Sequence, residues 1–275
     1  MTRFVNYLSQ RPVLNIVLVI CYYLLVVLPH EQIGLFIAKN LDKPYGRTKY
    51  NLIILLIGVF LLSVFMLFVW RGFKKIESKD KKKVVGYLSL SIVLIVLSIN
   101  LIMVVNVEII HIIQYAVMSV LIFPLLKNFN LTLFWITIFG ALDEAYQYFY
   151  LAALRTDYYD FNDIVINLIG STMGLIFLKS QGISNLKPLG PWYKNSIFYF
   201  IISIALVIII AWATNYLTIY PTDGESPAPI QIIRRFKPGF WQTIPPKVKF
   251  HVIRPLEGLI MVSLLLITYS KLGDK

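Results

Sequence analysis

Long, nearly uninterrupted apolar stretches dominate the chain, and polar or charged residues gather in the short segments between them. A helix needs ~20 mostly apolar residues to cross a bilayer, because backbone groups in hydrocarbon must find their hydrogen bonds within the segment. Stretches of that kind predict about eight spans: Pro12 to Pro29, Leu52 to Trp70, Val84 to Val105, Ile109 to Leu126, Leu131 to Tyr150, Asn162 to Leu178, Ile197 to Leu217 and Leu256 to Ser270. The expected fold is an all-α polytopic transmembrane helix bundle. It divides into three N-terminal helices in residues 1–105, a core of three helices in 106–180, and two C-terminal helices with a Pro-rich basic loop in 181–275. The first stretch ends at Pro29-His30-Glu31 without a small-residue cleavage site, so it reads as an uncleaved first helix.

Composition agrees with that pattern. Of the 275 residues 58% are hydrophobic and 15% charged, with a mean hydropathy of +0.72. A soluble domain runs nearer ~45–50% apolar and ~25% charged, which excludes an ordinary water-soluble enzyme. A disulfide framework is excluded too, because Cys21 is the single cysteine. The net charge of +12 would point to nucleic acid in a soluble protein. Here the basic residues lie between apolar stretches, so they read as orientation signals and lipid headgroup contacts. Membrane lipids are the expected partners, and nucleic acid is not.

The densest short basic loop, Arg71 to Lys83, is expected on the cytoplasmic side. Counting crossings from it puts both termini on the cytoplasmic side of the cell membrane. One loop disagrees: Thr218 to Arg254 carries Arg234, Arg235, Lys237, Lys247, Lys249 and Arg254, yet falls outside. Its prolines at 221, 227, 229, 238, 245 and 246 make it a linker or cap instead of a further span. Trp241 among those cations suits a headgroup surface or, more plainly, a solvated connection.

Ionisable residues within spans are costly and mark either a packing pair or a working site. Most of them fall in one place. The fourth stretch opens with Glu108, His111, Gln114 and Tyr115; the fifth closes with Asp143, Glu144, Gln147 and Tyr148; the sixth opens with Asp160 and Asp163 and carries Asn167. If all three span, those ends share one membrane face by parity, and the connecting segment brings Arg155 and Asp157 to the same level. Glu144 lies roughly 20 Å along its helix, short of the ~30 Å hydrocarbon, so it needs pairing, with Arg155 and His111 the nearest candidates.

Helical spacing places Asp163, Asn167, Gly170 and Gly174 on one stripe, and Gly140, Glu144 and Gln147 on another with Asp143 turned about 100° away. Gly140, Gly170 and Gly174 are expected to let helices approach closely. Asp160 and Asp163 also have a plainer reading as caps of the sixth helix, His111 as an interface histidine, and the tyrosines at 146, 148, 150, 158 and 159 as an aromatic belt. Convergence of these groups on one rim is what favours a site.

The ordered set His111, Tyr115, Asp143-Glu144-Ala-Tyr-Gln147, Arg155 and Asp163-Ile-Val-Ile-Asn167-Leu-Ile-Gly170-Ser-Thr-Met-Gly174 resembles the VanZ-like membrane protein family. The resemblance covers roughly Asn106 to Leu178. Glu108 stands where an aspartate-lysine pair is expected, and the Arg155 to Asp163 spacing is a residue or two longer than usual. The family takes its name from a protein linked to low-level resistance to the glycopeptide teicoplanin. The resemblance implies a bacterial envelope role without a settled chemistry.

Three functions compete at the rim. A binding or modulating protein would hold an envelope or lipid-linked precursor there, with Arg155 on an anionic group, Gln147, Asp160, Asn167, Tyr115 and Asp143 as further ligand contacts, and the tyrosines against sugar or lipid. An enzyme on a lipid-linked substrate would use Glu144 or Asp163 as base with His111 as its partner. A transporter or flippase would need polar residues continuing below the rim, where the three helices become almost wholly apolar. No serine elbow, zinc histidine pair or phosphate-binding glycine loop is present, so neither metal nor cofactor is expected. The sequence leaves the oligomeric state open.

Overall fold

The computed structural model describes residues 1–27, 29, 32, 36–37, 39–40, 46–103, 108–151, 159–185, 196–218, 228–231, 241–244 and 247–274. They fall into two units. One is Met1–Asp143, Phe161–Leu186 and Phe240–Lys275; the other is Glu144–Asp160 and Lys187–Gly239.

Most described residues of the apolar stretches are helical. The helices are α1 (Thr2–Ser9), α2 (Pro12–Tyr22, continued by a π-helical turn Tyr23–Val27), α3 (Arg47–Phe73), α4 (Ser78–Leu101), α5 (Ile109–Leu126), α6 (Phe129–Tyr146, continued by a π-helical turn Gln147–Leu151), α7 (Phe161–Ser180), α8 (Ser196–Ala213) and α9 (Pro255–Tyr269). Among the described residues four have the length and apolar composition to cross a membrane: those over Lys49–Phe73, Ser78–Leu101, Ile109–Leu126 and Phe161–Ser180. The α1–α2 pair, bent by 107°, brings the number to five if it counts as one span. That is fewer than the eight expected. Two of the missing spans have local reasons: α6 carries Asp143 and Glu144 in its last turn, and the fifteen residues of α9 reach only ~22 Å at ~1.5 Å per residue.

The first unit is built around α7, whose membrane-length window is 83% buried. Helices α5, α4, α9 and α3 all pack on it. Small side chains make this possible. A Cβ on Gly170 would stand 2.6 Å from the Ile112 carbonyl oxygen, and one on Gly174 would collide with the Ala116 carbonyl and the Ser119 hydroxyl. Backbone-to-backbone approach of α5 and α7 therefore depends on both glycines. Helix α5 ends where Lys127 turns left-handed (φ 57°) and its N–H returns to Phe123 O.

The first unit has two distinct ends. At one, Ser9 Oγ donates to Pro124 O at 3.1 Å, Lys179 meets Asp80 at 2.8 Å, and Lys83 donates to Asp274 O at 2.9 Å. The first helix, the basic segment after α3 and the last described residues thus share one end. Opposite lie the start of α5, the start of α7 and the start of α9.

The proline-rich segment contributes short strands. In the second unit β1 (Leu217–Thr218) pairs in parallel with β2 (Ile230–Gln231). In the first, β3 (Trp241–Ile244) and β4 (Lys247–His251) form an antiparallel hairpin with an irregular register between Gln242 and Ile244. The Asn162 side chain ties the hairpin to the bundle. Asn162 Nδ2 donates to Ile102 O at 2.9 Å and to His251 O at 2.8 Å, and Asn162 Oδ1 accepts from Ile253 N–H at 2.8 Å. Phe250, Val252 and Ile253 are buried beside it.

Candidate functional site at the α5–α6–α7 rim

His111 is on the first turn of α5 and Tyr115 one turn below it, both facing α7 and α6 because the opposite face of α5 is taken by α2. That other face holds Gln114, whose carbonyl accepts from Tyr22 Oη at 3.0 Å and whose amide donates to Val26 O at 2.9 Å. Gln114 therefore ties α2 down and takes no part in the cluster across α5.

Both nitrogens of the buried His111 ring meet α7. Nδ1 lies 2.9 Å from Asn167 Oδ1, and Nε2 lies 3.4 Å from Asp163 Oδ2. Asp163 and Asn167 are four residues apart, so one imidazole spans one helical turn between them. The chemistry of the three groups fixes the proton arrangement. An amide oxygen only accepts, so Nδ1–H donates to Asn167. One proton then lies between Nε2 and the Asp163 carboxyl, on whichever of the two holds it. His111 is 3% exposed and Asp163 14%, so the carboxyl edge is the part of the chain of groups open to the rim.

A second bond lies one turn deeper. Tyr115 Oη donates to Asp143 Oδ2 at 3.3 Å, and both residues are fully buried. Gly140 shares that face: a Cβ there would stand 3.3 Å from Asn167 Nδ2 and 3.7 Å from the Tyr115 ring. Among the described residues Asn167 Nδ2 has no hydrogen-bond partner. It is a buried donor that lies against Gly140.

This geometry differs from the expected stripe. On α6 it is Asp143, three residues from Gly140, that meets Tyr115. Glu144 is buried in the second unit and accepts from Gln147 Nε2 at 3.1 Å. Both ring nitrogens of His111 are turned to α7, where Asp163 and Asn167 meet them. Asp160 precedes α7, half-buried; Arg155 and Asp157 lie outside the described residues. Tyr148 and Tyr159 stack edge-on at 6.0 Å in the second unit. Among the described residues no three His, Cys, Asp or Glu side chains gather as a metal would require.

The expectation that polarity stops below the rim needs correcting. Ser91 Oγ lies 2.7 Å from Tyr269 Oη and 3.3 Å from Thr172 Oγ1 in mid-bundle. At the far end the wholly buried Lys179 donates to Ser184 Oγ at 2.8 Å and to Asp274 O at 2.9 Å, besides its ion pair with Asp80. Sequence reasoning missed Lys179 and Asn162, whose partners, Ser184 apart, lie 60 to 99 residues away. A lysine closing an apolar helix and an asparagine opening one were the available signals.

No family profile, curated protein or solved structure matches the chain.

Proposed function

We propose that this is a VanZ-like multi-pass protein of the bacterial cell membrane that binds an envelope lipid or lipid-linked precursor at the α5–α6–α7 rim. The observation that carries the reading is the Asp163–His111–Asn167 chain: an accessible carboxyl edge, a ring oriented from both sides, and a buried amide donor left over. Buried donors in packed proteins are nearly always paired, so a leftover one beside a glycine suits a ligand acceptor. The rim end is the outer one, and both termini are cytoplasmic, with Arg71 to Lys83 on their side by the positive-inside rule. A part in glycopeptide sensitivity follows from the family resemblance.

A second reading is favoured by one specific distance. Nε2 at 3.4 Å from the Asp163 carboxyl is a proton-sharing pair held in orientation by Asn167, the arrangement of a general acid or base. Transport gains least, since the polar groups below the rim are bonded into the packing. Extraction and mass spectrometry of lipids retained by the purified native chain separates the first two. Asp163→Asn keeps the size and hydrogen-bonding capacity of that residue but cannot ionise. A binder retains its lipid in that variant with glycopeptide sensitivity unchanged; an enzyme retains it and loses the phenotype. If no lipid follows the native chain and Asn167→Ala changes nothing, both readings are wrong.

A further inference from the structure

The strongest imbalance of charge lies at the end of the first unit away from the rim. Residues 71–83 hold Arg71 and six lysines against Glu77 and Asp80. Arg3, Arg11, Lys127, Lys179 and Lys271 come to the same end, where Asp274 is the one further acid among the described residues. Cations therefore outnumber acids there by twelve to three. The Asp80 carboxylate is already taken by the buried Lys179 at 2.8 Å. Even with Glu77 and Asp274 each set against a lysine, the surplus is nine.

Two features at this end go beyond charge. The first is α1, which turns nearly at right angles to α2, by 107°. With α2 across the bilayer, α1 lies along its surface. Its Val5 and Leu8 are buried, and it packs on α5. Arg3, Phe4 and Tyr7 share the other face and are exposed. The exposed Arg11 adds a guanidinium 3.9 Å over the Tyr7 ring. A short helix of this pattern suits the layer between water and hydrocarbon.

The second feature is an aromatic pair where α3 ends. The Trp70 and Phe73 rings stack with centroids 6.2 Å apart and 10° between their planes. Lys74 Nζ is 5.5 Å over the Trp70 ring, and Lys81 Nζ is 5.6 Å over the Phe73 ring. Trp70 and Lys74 are exposed. An indole at the end of a membrane-length helix belongs at headgroup level.

Orientation needs only cations in the loops beside the spans. It gives no reason for an ammonium over each ring of a stacked pair, or for an arginine-bearing amphipathic helix laid across the same end. We infer that α1 and the Trp70–Lys81 segment form a seat for anionic phospholipids of the leaflet at that end, with Arg3, Arg11, Lys74 and Lys81 on their phosphates and Tyr7 and Trp70 at the glycerol level. A soluble polyanion would match the cations but leave Phe4, Tyr7 and Trp70 without an apolar neighbour. An anionic lipid matches both. The seat is at the opposite end of α7 from Asp163 and does not rest on the function proposed for the rim.

The test uses the full chain in detergent, offered equal amounts of dioleoyl phosphatidylglycerol and dioleoyl phosphatidylcholine, with lipids retained per chain counted by native mass spectrometry. The native chain retains the anionic lipid over the zwitterionic one, and the preference weakens as salt is raised. Arg3→Gln with Arg11→Gln, and Lys74→Gln with Lys81→Gln, each lower phosphatidylglycerol retention by about fivefold per cation and leave phosphatidylcholine unchanged. Lys49→Gln with Lys249→Gln removes two exposed cations at the opposite end and changes neither. None of these six side chains is buried, so the variants keep the fold, which circular dichroism checks. Equal retention of the two lipids by the native chain overturns the inference. So does a preference that survives both basic-end variants, or one that the Lys49 and Lys249 pair lowers as much, since net charge alone would then explain it. Displacement of the lipid by polyadenylate would assign the end to a soluble polyanion and overturn it as well.

Discussion

Helix α7 buries an ionisable residue near each end, and the two ends treat it differently. At the far end the Lys179 ammonium has three donors and three acceptors: Asp80 Oδ1, Ser184 Oγ and Asp274 O, all within 2.9 Å. At the rim Asp163 and His111 stand 3.4 Å apart, and Asn167 keeps an amide donor that nothing described accepts. The first is a saturated knot, the second an open chain. Saturation serves packing, since an ammonium taken from water is tolerated only when its donors are met. An unsaturated buried donor costs stability, and a retained cost of that kind is where ligand binding is to be sought.

Breaking the knot has the largest expected effect on the fold. Lys179→Met leaves Asp80 without its partner and lowers unfolding free energy by about 3–5 kcal/mol, read from detergent unfolding curves. Retention of rim ligand per folded molecule is unchanged. If it falls, the two ends are not separable as described.

Gly174→Ala comes next. Its methyl group meets the Ala116 carbonyl and the Ser119 hydroxyl, so α5 and α7 must part. Overpacking of this kind costs about 1–3 kcal/mol. The same unfolding assay applied to Gly140→Ala, whose Cβ faces the movable Asn167 amide, gives a smaller loss. Equal costs at the two positions would mean that the rim is as tightly packed as mid-bundle.

The open chain responds the other way. Asn167→Ala leaves the buried His111 Nδ1–H without its acceptor and removes an amide donor already unmatched, so stability falls by about 1–3 kcal/mol, less than for Lys179→Met. Loss of retained lipid and a change in glycopeptide sensitivity are the main effects. At the smallest end, Ser91→Ala deletes a hydroxyl shared by Tyr269 and Thr172, lowers stability by about 1 kcal/mol and leaves retention intact.

Helices were legible in the sequence because apolar runs of that length have one economical backbone solution in hydrocarbon. The Ile109 to Leu126 stretch matches α5 end to end, since Glu108 and the left-handed Lys127 bracket it. The number of crossings was not legible, because it depends on a 107° bend between α1 and α2 and on how far α9 extends. At the site, the α7 stripe of Asp163, Asn167, Gly170 and Gly174 followed from 3.6-residue periodicity alone. The choice between Asp143 and Glu144 did not: adjacent residues point about 100° apart, and only the rotation of α6 decides which of them meets Tyr115. Asn162 and Lys179 stayed hidden because their partners come from segments remote in sequence, which periodicity within one helix does not reveal.

The central claim is that the open end binds and the saturated end holds the fold. Its most direct measurement is the amount of envelope lipid extracted per folded molecule from three purified chains: native, Asn167→Ala and Lys179→Met. The account predicts that the native chain and the less stable Lys179→Met retain equal amounts, and that Asn167→Ala, destabilised less than Lys179→Met, loses most of its lipid. Full retention by Asn167→Ala, or loss that tracks stability across the three, contradicts it.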